Sequence, residues 1–137
     1  MGREYFADSF YWIALAYPRD AWHRRAIAWQ RTNSQARYIT TEEVLAETLT
    51  WFAGRGPAWR AVAVRTVRGI LLNPDAKVLP QTSSDFHAAL ALYESRLDKD
   101  YSLTDCRSMN AMRVLGISEV LTNDHHFAQE GFTVLFP

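Results

Sequence analysis

A regular alternation between short apolar runs and longer segments of helical periodicity constrains this sequence most. Five runs have the length and composition of strands, at residues 2–8, 37–40, 77–79, 119–122 and 132–136. Because strands that alternate with helices form parallel sheets, we predict an α/β fold with a short central parallel sheet and helices on both faces.

Six segments are predicted to be helices, and residues with known terminal preferences bound most of them. The predicted ranges are 10–17, 21–32, 41–53, 57–72, a helix that begins within 82–84 and reaches 97, and 103–115. We predict Asp20 as the N-cap of the second helix, and Thr40 with Glu43 as a capping box for the third. Gly116 is predicted to end the last helix.

Length and composition limit the class of protein. The 137 residues fit one domain, 1–137, and the 48% apolar content argues against disorder. The single cysteine, Cys106, excludes an internal disulfide framework and is compatible with a reducing cytosol. The start does not read as a signal peptide, and its most apolar stretch, 10–17, is far shorter than the roughly 20 residues of a membrane span. We therefore expect a cytoplasmic protein with no membrane association.

Charge is balanced overall but unevenly distributed. The chain has 15 basic and 15 acidic residues, and thirteen of the basic residues are arginines. Residues 19–37 contain five arginines and one acid, and residues 51–77 contain five basic residues and one acid. Arginine binds phosphate bidentately, so the two segments are compatible with a nucleic-acid partner or with solvated helix faces.

Four acids occupy positions that favour a shared site. Asp8 ends the first predicted strand and Asp124 follows the fourth, so both lie at the sheet edge where ligands of parallel sheets bind. Glu47 and Asp105 lie on predicted helices, in an apolar-rich stretch and near a helix start. Taken one at a time, these acids also fit a helix cap, a turn, a favourable charge on a helix dipole or a solvated face.

Converging carboxylates repel one another, and a hard divalent cation relieves that repulsion. Mg²⁺ and Mn²⁺ prefer oxygen ligands, and such a metal activates water and stabilises charge on a phosphate. The acids therefore favour metal-dependent hydrolysis of a phosphodiester, with the arginine-rich helices holding a polyanionic substrate.

Four segments, each containing one of these acids, carry a resemblance to a known family. They are FADSFYWIAL at 6–15, ITTEEVLAET at 39–48, YSLTDCRSM at 101–109, and LTNDHHF at 121–127 followed by Gly131 and Phe132. In order and spacing they resemble the motifs of PIN-domain nucleases over nearly the whole chain. One difference is that His125 and His126 stand where some members have a further acid.

The resemblance implies a doubly wound sheet, a Mg²⁺ or Mn²⁺ site and cleavage of single-stranded or looped RNA. Small stand-alone members are mostly VapC-type toxins, which implies a homodimer and a cognate antitoxin. By the same resemblance, Asp8 and Asp105 are the main metal ligands, Asp124 completes the site, and Glu47 orients or deprotonates the attacking water. Ser9 and Thr104 are expected to support the carboxylates or a phosphate oxygen.

Two other functions remain open at this stage. A non-catalytic RNA-binding or regulatory module of the same fold would have a broken acid set, whereas all four acids are present. A metal-dependent phosphatase of the haloacid-dehalogenase type would have a second Asp two residues after Asp8, where Phe10 stands. A glycine-rich phosphate-binding turn is also absent after the first strand. Cys106 is predicted to be a small buried thiol.

Overall fold

The sheet and its order were obtained from a computed structural model that describes residues 2–137. Across these residues five parallel strands form one sheet in the order β3–β2–β1–β4–β5. The strands are β1 (Glu4–Ala7), β2 (Arg37–Thr41), β3 (Ala76–Leu79), β4 (Glu119–Leu121) and β5 (Thr133–Val134). The predicted α/β class with a central parallel sheet is confirmed.

Seven helices connect the strands in the described part of the chain. They are α1 (Ser9–Ala16), α2 (His23–Thr32), α3 (Glu42–Ala53), α4 (Pro57–Leu72), α5 (Ser83–Glu94), α6 (Leu103–Leu115) and α7 (His126–Gln129). None of the helices within 2–137 is long and apolar enough to cross a membrane.

Strand β1 is the centre of the sheet and defines the point where the strand order reverses. The chain runs outward from β1 through β2 to β3, then returns to the other side of β1 for β4 and β5. Phe6 pairs with Ile39 on one side and with Val120 on the other. A crevice therefore opens between the carboxyl ends of β1 and β4, where ligands bind in sheets of this type.

The main core covers the sheet with apolar side chains from strands and helices. Phe6, Tyr11, Met109, Met112 and Leu121 are among its fully buried members. Burial of such side chains contributes about 1.5–3 kcal/mol each, which holds α1 and α6 against the strands that precede the acids.

A second, smaller cluster lies where α1, α3 and α4 meet. Its buried members are Ile13, Phe52 and Ala63, and Tyr17, Trp51 and Trp59 pack against them. The aromatic rings meet mostly edge to face, as between Tyr17 and Trp59 at 4.8 Å. This cluster fixes the carboxyl-terminal half of α3 against α1 and α4.

Two predicted helix starts were wrong in register. The second helix begins at His23 rather than at 21, and Asp20 is not its N-cap; its Oδ1 accepts a hydrogen bond from the Trp22 backbone N–H at 2.8 Å. The N-cap of α3 is Thr41, whose Oγ1 accepts from the Val44 N–H at 3.1 Å. Thr40 instead donates to the Ala7 carbonyl at 2.9 Å and ties β2 to β1, so no Thr40–Glu43 capping box forms.

Other boundaries differ because short elements carry little periodicity. The last strand is Thr133–Val134 rather than 132–136, the fifth predicted helix ends at Glu94 rather than at 97, and α7 was not predicted. The predicted helix end at Gly116 is confirmed, because this residue adopts φ 69°, in the left-handed region that glycine favours.

Candidate active site

All four predicted acids line one cleft of about 430 Å³ beyond the carboxyl ends of β1 and β4. Asp8 directly follows β1, and Asp124 lies three residues after β4. Glu47 is in the middle of α3, and Asp105 is in the first turn of α6. The topology therefore brings together residues that are far apart in sequence.

Asp8 is the N-cap residue of α1, but its side chain does not serve as the cap. Its side chain makes no capping hydrogen bond and is 6% exposed, and its Oδ2 accepts a hydrogen bond from the Thr122 hydroxyl at 2.8 Å. Burial, together with the nearby charges of Glu47 and Asp105, raises the pKa of Asp8 to about 7 despite that hydrogen bond. The interpretation of Asp8 as a simple helix cap is therefore wrong.

Two serines hold the carboxylates of Glu47 and Asp105, one through its hydroxyl and the other through its backbone N–H. The Ser9 hydroxyl donates a short hydrogen bond to Glu47 Oε1. Asp105 forms a capping box with Ser102: its Oδ2 accepts from the Ser102 N–H and its own N–H donates to the Ser102 hydroxyl, both at 3.0 Å. Burial raises the pKa of Asp105, and the charges of Asp124 and Glu47 add to this effect.

Asp124 and His126 form the outer side of the acid cluster. Asp124 Oδ1 accepts from the His126 backbone N–H at 2.9 Å and lies 3.0 Å from His126 Nδ1. That buried ring nitrogen makes no hydrogen bond of acceptable geometry within 2–137, and it lies 3.9 Å from Asp105 Oδ2. One donor atom each from Asp105, Asp124 and His126 lies within 4.8 Å of the others.

The supporting residues differ in part from those predicted. Ser9 lines the acid cleft, but Thr104 lines a neighbouring cleft of about 660 Å³ together with Glu43 and Arg107. Thr122 and His126 were not among the predicted site residues. The threonine was assigned only to a strand end, and the histidine lies on a four-residue helix too short to be recognised from periodicity.

A buried arginine connects the helices that carry Glu47 and Asp105. Arg107 is 6% exposed, and its Nε lies 3.0 Å from Glu43 Oε2. Its Nη2 lies 3.3 Å from Asp85 Oδ2 and donates to the Pro80 carbonyl at 3.2 Å. Arg107 therefore joins α6 to α3 and α5, one turn of α3 away from Glu47.

The cysteine of the third motif is buried and takes no part in this arrangement. Cys106 is a free thiol with no exposed surface. Burial and the nearby charge of Asp105 raise its pKa to about 11, so the thiolate form is disfavoured.

Comparison with known families identifies the fold that carries these acids. The family model of the PIN domain matches residues 5–132. The chain belongs to the PIN domain family. Asp8, Glu47, Asp105 and Asp124 all lie within the matched range, so the predicted family is confirmed.

A solved structure extends this PIN-domain assignment. Mycobacterium tuberculosis VapC20, described as a sarcin–ricin-loop cleaving toxin, superposes with a TM-score of 0.85 at 26% sequence identity. The match covers 96% of this chain and 98% of VapC20, so the two proteins share one architecture from end to end. No significant match was found among curated protein sequences.

Proposed function

We propose that this PIN-domain protein is a metal-dependent endoribonuclease of the VapC toxin type, with its catalytic domain spanning 1–137. The single observation that carries the proposal is the convergence of four acids in one cleft at the strand-order reversal of a PIN fold. The similarity to VapC20, a toxin that cleaves RNA, supports the same reaction class.

The donor set of the cleft fits a hard divalent cation. Asp8 and Asp105 are buried carboxylates whose pKa values are raised, so their ionised forms lack sufficient compensation from the protein alone. A cation that neutralises them removes this cost, and carboxylate oxygens are the ligands that Mg²⁺ and Mn²⁺ prefer. The His126 ring nitrogen beside Asp124 is a donor that Mn²⁺ accepts more readily than Mg²⁺ does.

The residues of the cleft divide into holding and activating roles. Asp8, Asp105 and Asp124 would hold the metal directly or through water, and the bound metal would supply an activated water and stabilise charge on the phosphate. Glu47, fixed by the Ser9 hydroxyl, would orient or deprotonate the water that attacks phosphorus. Where Glu47 acts as the base, the water proton would pass to its carboxylate as the new P–O bond forms, and the departing ribose oxygen would leave with the electron pair of the broken P–O bond and take a proton from solvent.

The proposed substrate is single-stranded or looped RNA. The cleft is open and lined by polar side chains. A single RNA strand can therefore enter it and bring one phosphate to the acids, with no second, base-paired strand to accommodate. Because VapC20 cleaves the sarcin–ricin loop, a hairpin with that loop is the first structured RNA to test.

We also propose a cytoplasmic homodimer that is inhibited by a cognate antitoxin, as VapC-type toxins are. Apolar side chains left outside the core support the dimer. Exposed examples are Phe86, Leu90 and Tyr93 on α5 and Val114 on α6. Light scattering coupled to size-exclusion chromatography gives the mass in solution, and a 15.7 kDa species would contradict the dimer.

Cleavage of labelled RNA tests the proposed function. Wild-type and Asp105→Asn proteins are incubated with a pool of single-stranded and hairpin RNAs in Mg²⁺, in Mn²⁺ and in chelator. We expect cleavage by the wild type with metal only. Folded wild-type protein that cuts no RNA but binds it would favour a regulatory module, and hydrolysis of p-nitrophenyl phosphate alone would favour a phosphatase.

A further inference from the structure

A tryptophan with an arginine stacked on it forms one wall of the acid cleft. Trp51 lies on α3 one turn after Glu47, about 6 Å further along the helix axis, and it lines the same cleft as the four acids. The guanidinium carbon of Arg55 lies 3.5 Å from the centroid of the Trp51 ring. Through Trp51 the pair is therefore joined to the wall of the acid cleft, one turn of α3 from Glu47.

The tryptophan is fixed in place by neighbouring rings. Trp51 meets Tyr17 at 5.1 Å and Phe52 at 4.9 Å, in both cases edge to face, and Phe52 is fully buried. These two rings pack against the indole, and the guanidinium of Arg55 covers one of its faces. Trp51 is thus a rigid support for Arg55 rather than a freely rotating surface residue.

Arg55 is held at one end and free at the other. Its Nε donates to the Trp51 carbonyl at 3.1 Å, which orients the guanidinium plane. Within residues 2–137 its two Nη groups donate to no protein acceptor, and no carboxylate forms an ion pair with it. An exposed guanidinium held flat with free paired donors has the geometry that binds a phosphate bidentately.

The sequence around Trp51 and Arg55 is positively charged, which favours binding of an external anion to Arg55 over pairing with a nearby carboxylate. From 48 to 74 the chain contains four arginines, Arg55, Arg60, Arg65 and Arg68, and no acid. Capping the end of α3 uses only the Nε–H of Arg55, which donates to the Trp51 carbonyl. The capping role therefore leaves the two Nη groups available for an anion.

We propose that Arg55, stacked on Trp51, is a second phosphate-binding site that holds the RNA strand at a linkage next to the one that is cut. The inference rests on the proposed ribonuclease function and assigns one contact of its substrate. The Trp51 ring orients the guanidinium, and the two Nη groups bind the non-bridging oxygens of the flanking phosphate. The strand is thereby placed so that the scissile phosphate lies over the acids.

Four variants separate this role from a structural one. Arg55→Gln removes the charge, Arg55→Lys keeps the charge but loses the fork, and Trp51→Leu removes the support. Arg3→Gln is the control, because Arg3 is an exposed arginine just before β1, at the amino ends of the strands and away from the cleft, where it pairs with Glu119. Thermal unfolding of each variant shows whether the fold is retained.

Cleavage and binding are measured with one RNA that the wild type cuts. We expect Arg55→Gln to raise KM roughly tenfold, as the loss of a charge-assisted contact predicts, with little change in kcat. In chelator, the slope of log binding constant against log salt should fall by about 0.7, the value for one phosphate contact on a single strand. Arg55→Lys should keep the slope but bind more weakly, Trp51→Leu should resemble Arg55→Gln, and Arg3→Gln should match the wild type.

Replacing single phosphates identifies the linkage. RNAs that carry one uncharged methylphosphonate at successive linkages are compared for wild-type and Arg55→Gln proteins. At one linkage near the cut we expect the wild type to lose affinity and Arg55→Gln to lose none. Losses that are equal for both proteins at every linkage, or an unchanged KM and salt slope in Arg55→Gln, would overturn the inference while wild-type cleavage still upholds the nuclease. An Arg55→Gln protein that binds RNA normally but no longer binds its antitoxin would assign the pair to the protein partner and would also overturn it.

Discussion

Among single residues, Asp8 is the acid whose pKa is raised most clearly by its position in the fold. It follows the central strand, is almost fully buried, and has a pKa raised to about 7. Since its pKa in the unfolded chain is 3.8, the folded protein binds an extra proton between pH 4 and 7. The metal-free fold is therefore most stable when Asp8 is protonated, and it loses stability as pH rises through that window.

Asp8→Asn should remove this dependence. Asparagine keeps an oxygen that accepts from the Thr122 hydroxyl but carries no charge. In chelator at pH 8 we expect the variant to be more stable than the wild type by about 1–4 kcal/mol, and at pH 4 the two should be similar. Urea unfolding at both pH values measures the difference. A wild type that is the more stable protein at pH 8 would show that the charge of Asp8 is compensated within the protein.

Metal affinity should depend on the same proton. If Asp8 is a metal ligand, as proposed, Mn²⁺ binds its ionised form, so below pH 7 a proton must leave. We expect the dissociation constant for Mn²⁺ to rise roughly tenfold for each pH unit below 7 and to level off above it. Calorimetric titrations at pH 5.5, 6.5 and 7.5 test this, and Asp8→Asn should bind Mn²⁺ weakly at all three values. An affinity that does not change with pH would exclude Asp8 as a ligand.

At the scale of elements, the spacing of α3 and α6 depends on Arg107. This side chain joins Glu43 on α3 and Asp85 on α5 to α6, on the side of α6 that faces the neighbouring cleft. Because Glu43 lies one turn before Glu47 and Arg107 two residues after Asp105, the ion pair constrains two acids of the site. Among residues 2–137 the other carboxylate oxygen of Glu43, Oε1, is buried and makes no hydrogen bond, so the ion pair of Oε2 with Arg107 is what compensates the charge of Glu43.

Arg107→Met should therefore be strongly destabilising on its own. Removing one partner of a buried ion pair costs about 3–5 kcal/mol, because the other charge stays buried. The double variant Arg107→Met with Glu43→Gln should recover a large part of that loss. Denaturant unfolding of the wild type, the two single variants and the double variant forms a double-mutant cycle, which gives the interaction free energy of the pair. Additive losses would mean that the two side chains do not interact in solution.

The sequence predicted the elements better than the contacts between them. Strong periodicity gave α3, α4 and α6 close to their observed bounds, and the acids were placed by the ends of buried strands. Thr40 and Thr41 are adjacent hydroxyl residues, and only the pairing of β2 with β1 decides which of them caps α3. His126 and Thr122 belong to the site through the three-dimensional arrangement of β4 and α7, for which a three-residue strand and a four-residue helix give little local signal.

For the molecule as a whole, the uneven distribution of charge matters more than the net charge of zero. The acids of the cleft lie close to an arginine-rich stretch that includes α4, where Arg60, Arg65 and Arg68 are exposed. Arg60 uses one Nη to donate to the Ala53 carbonyl at 2.9 Å and caps α3. We interpret this basic helix as the long-range attraction for RNA, and the acid cleft as the place of reaction.

Replacing Arg60 and Arg65 together with Gln should weaken RNA binding without changing the chemistry. If both contact phosphates, the salt slope should fall by about 1.4, and the affinity should fall for all RNA sequences alike. Anisotropy of a labelled RNA at several salt concentrations in chelator measures both quantities. A slope equal to that of the wild type would mean that these arginines only solvate the outer face of α4.

The strand order has a consequence for how such an enzyme is made in the cell. The central strand β1 is synthesised well before its neighbour β4 and the acid that follows β4, because α1 to α6 lie between the two strands in the chain. A nascent chain therefore holds Asp8 and Glu47 without Asp124, and without the strand that brings the Thr122 hydroxyl to Asp8. The four acids can therefore converge only after β4 and Asp124 have been synthesised, so any fragment that stops before β4 lacks the complete acid set.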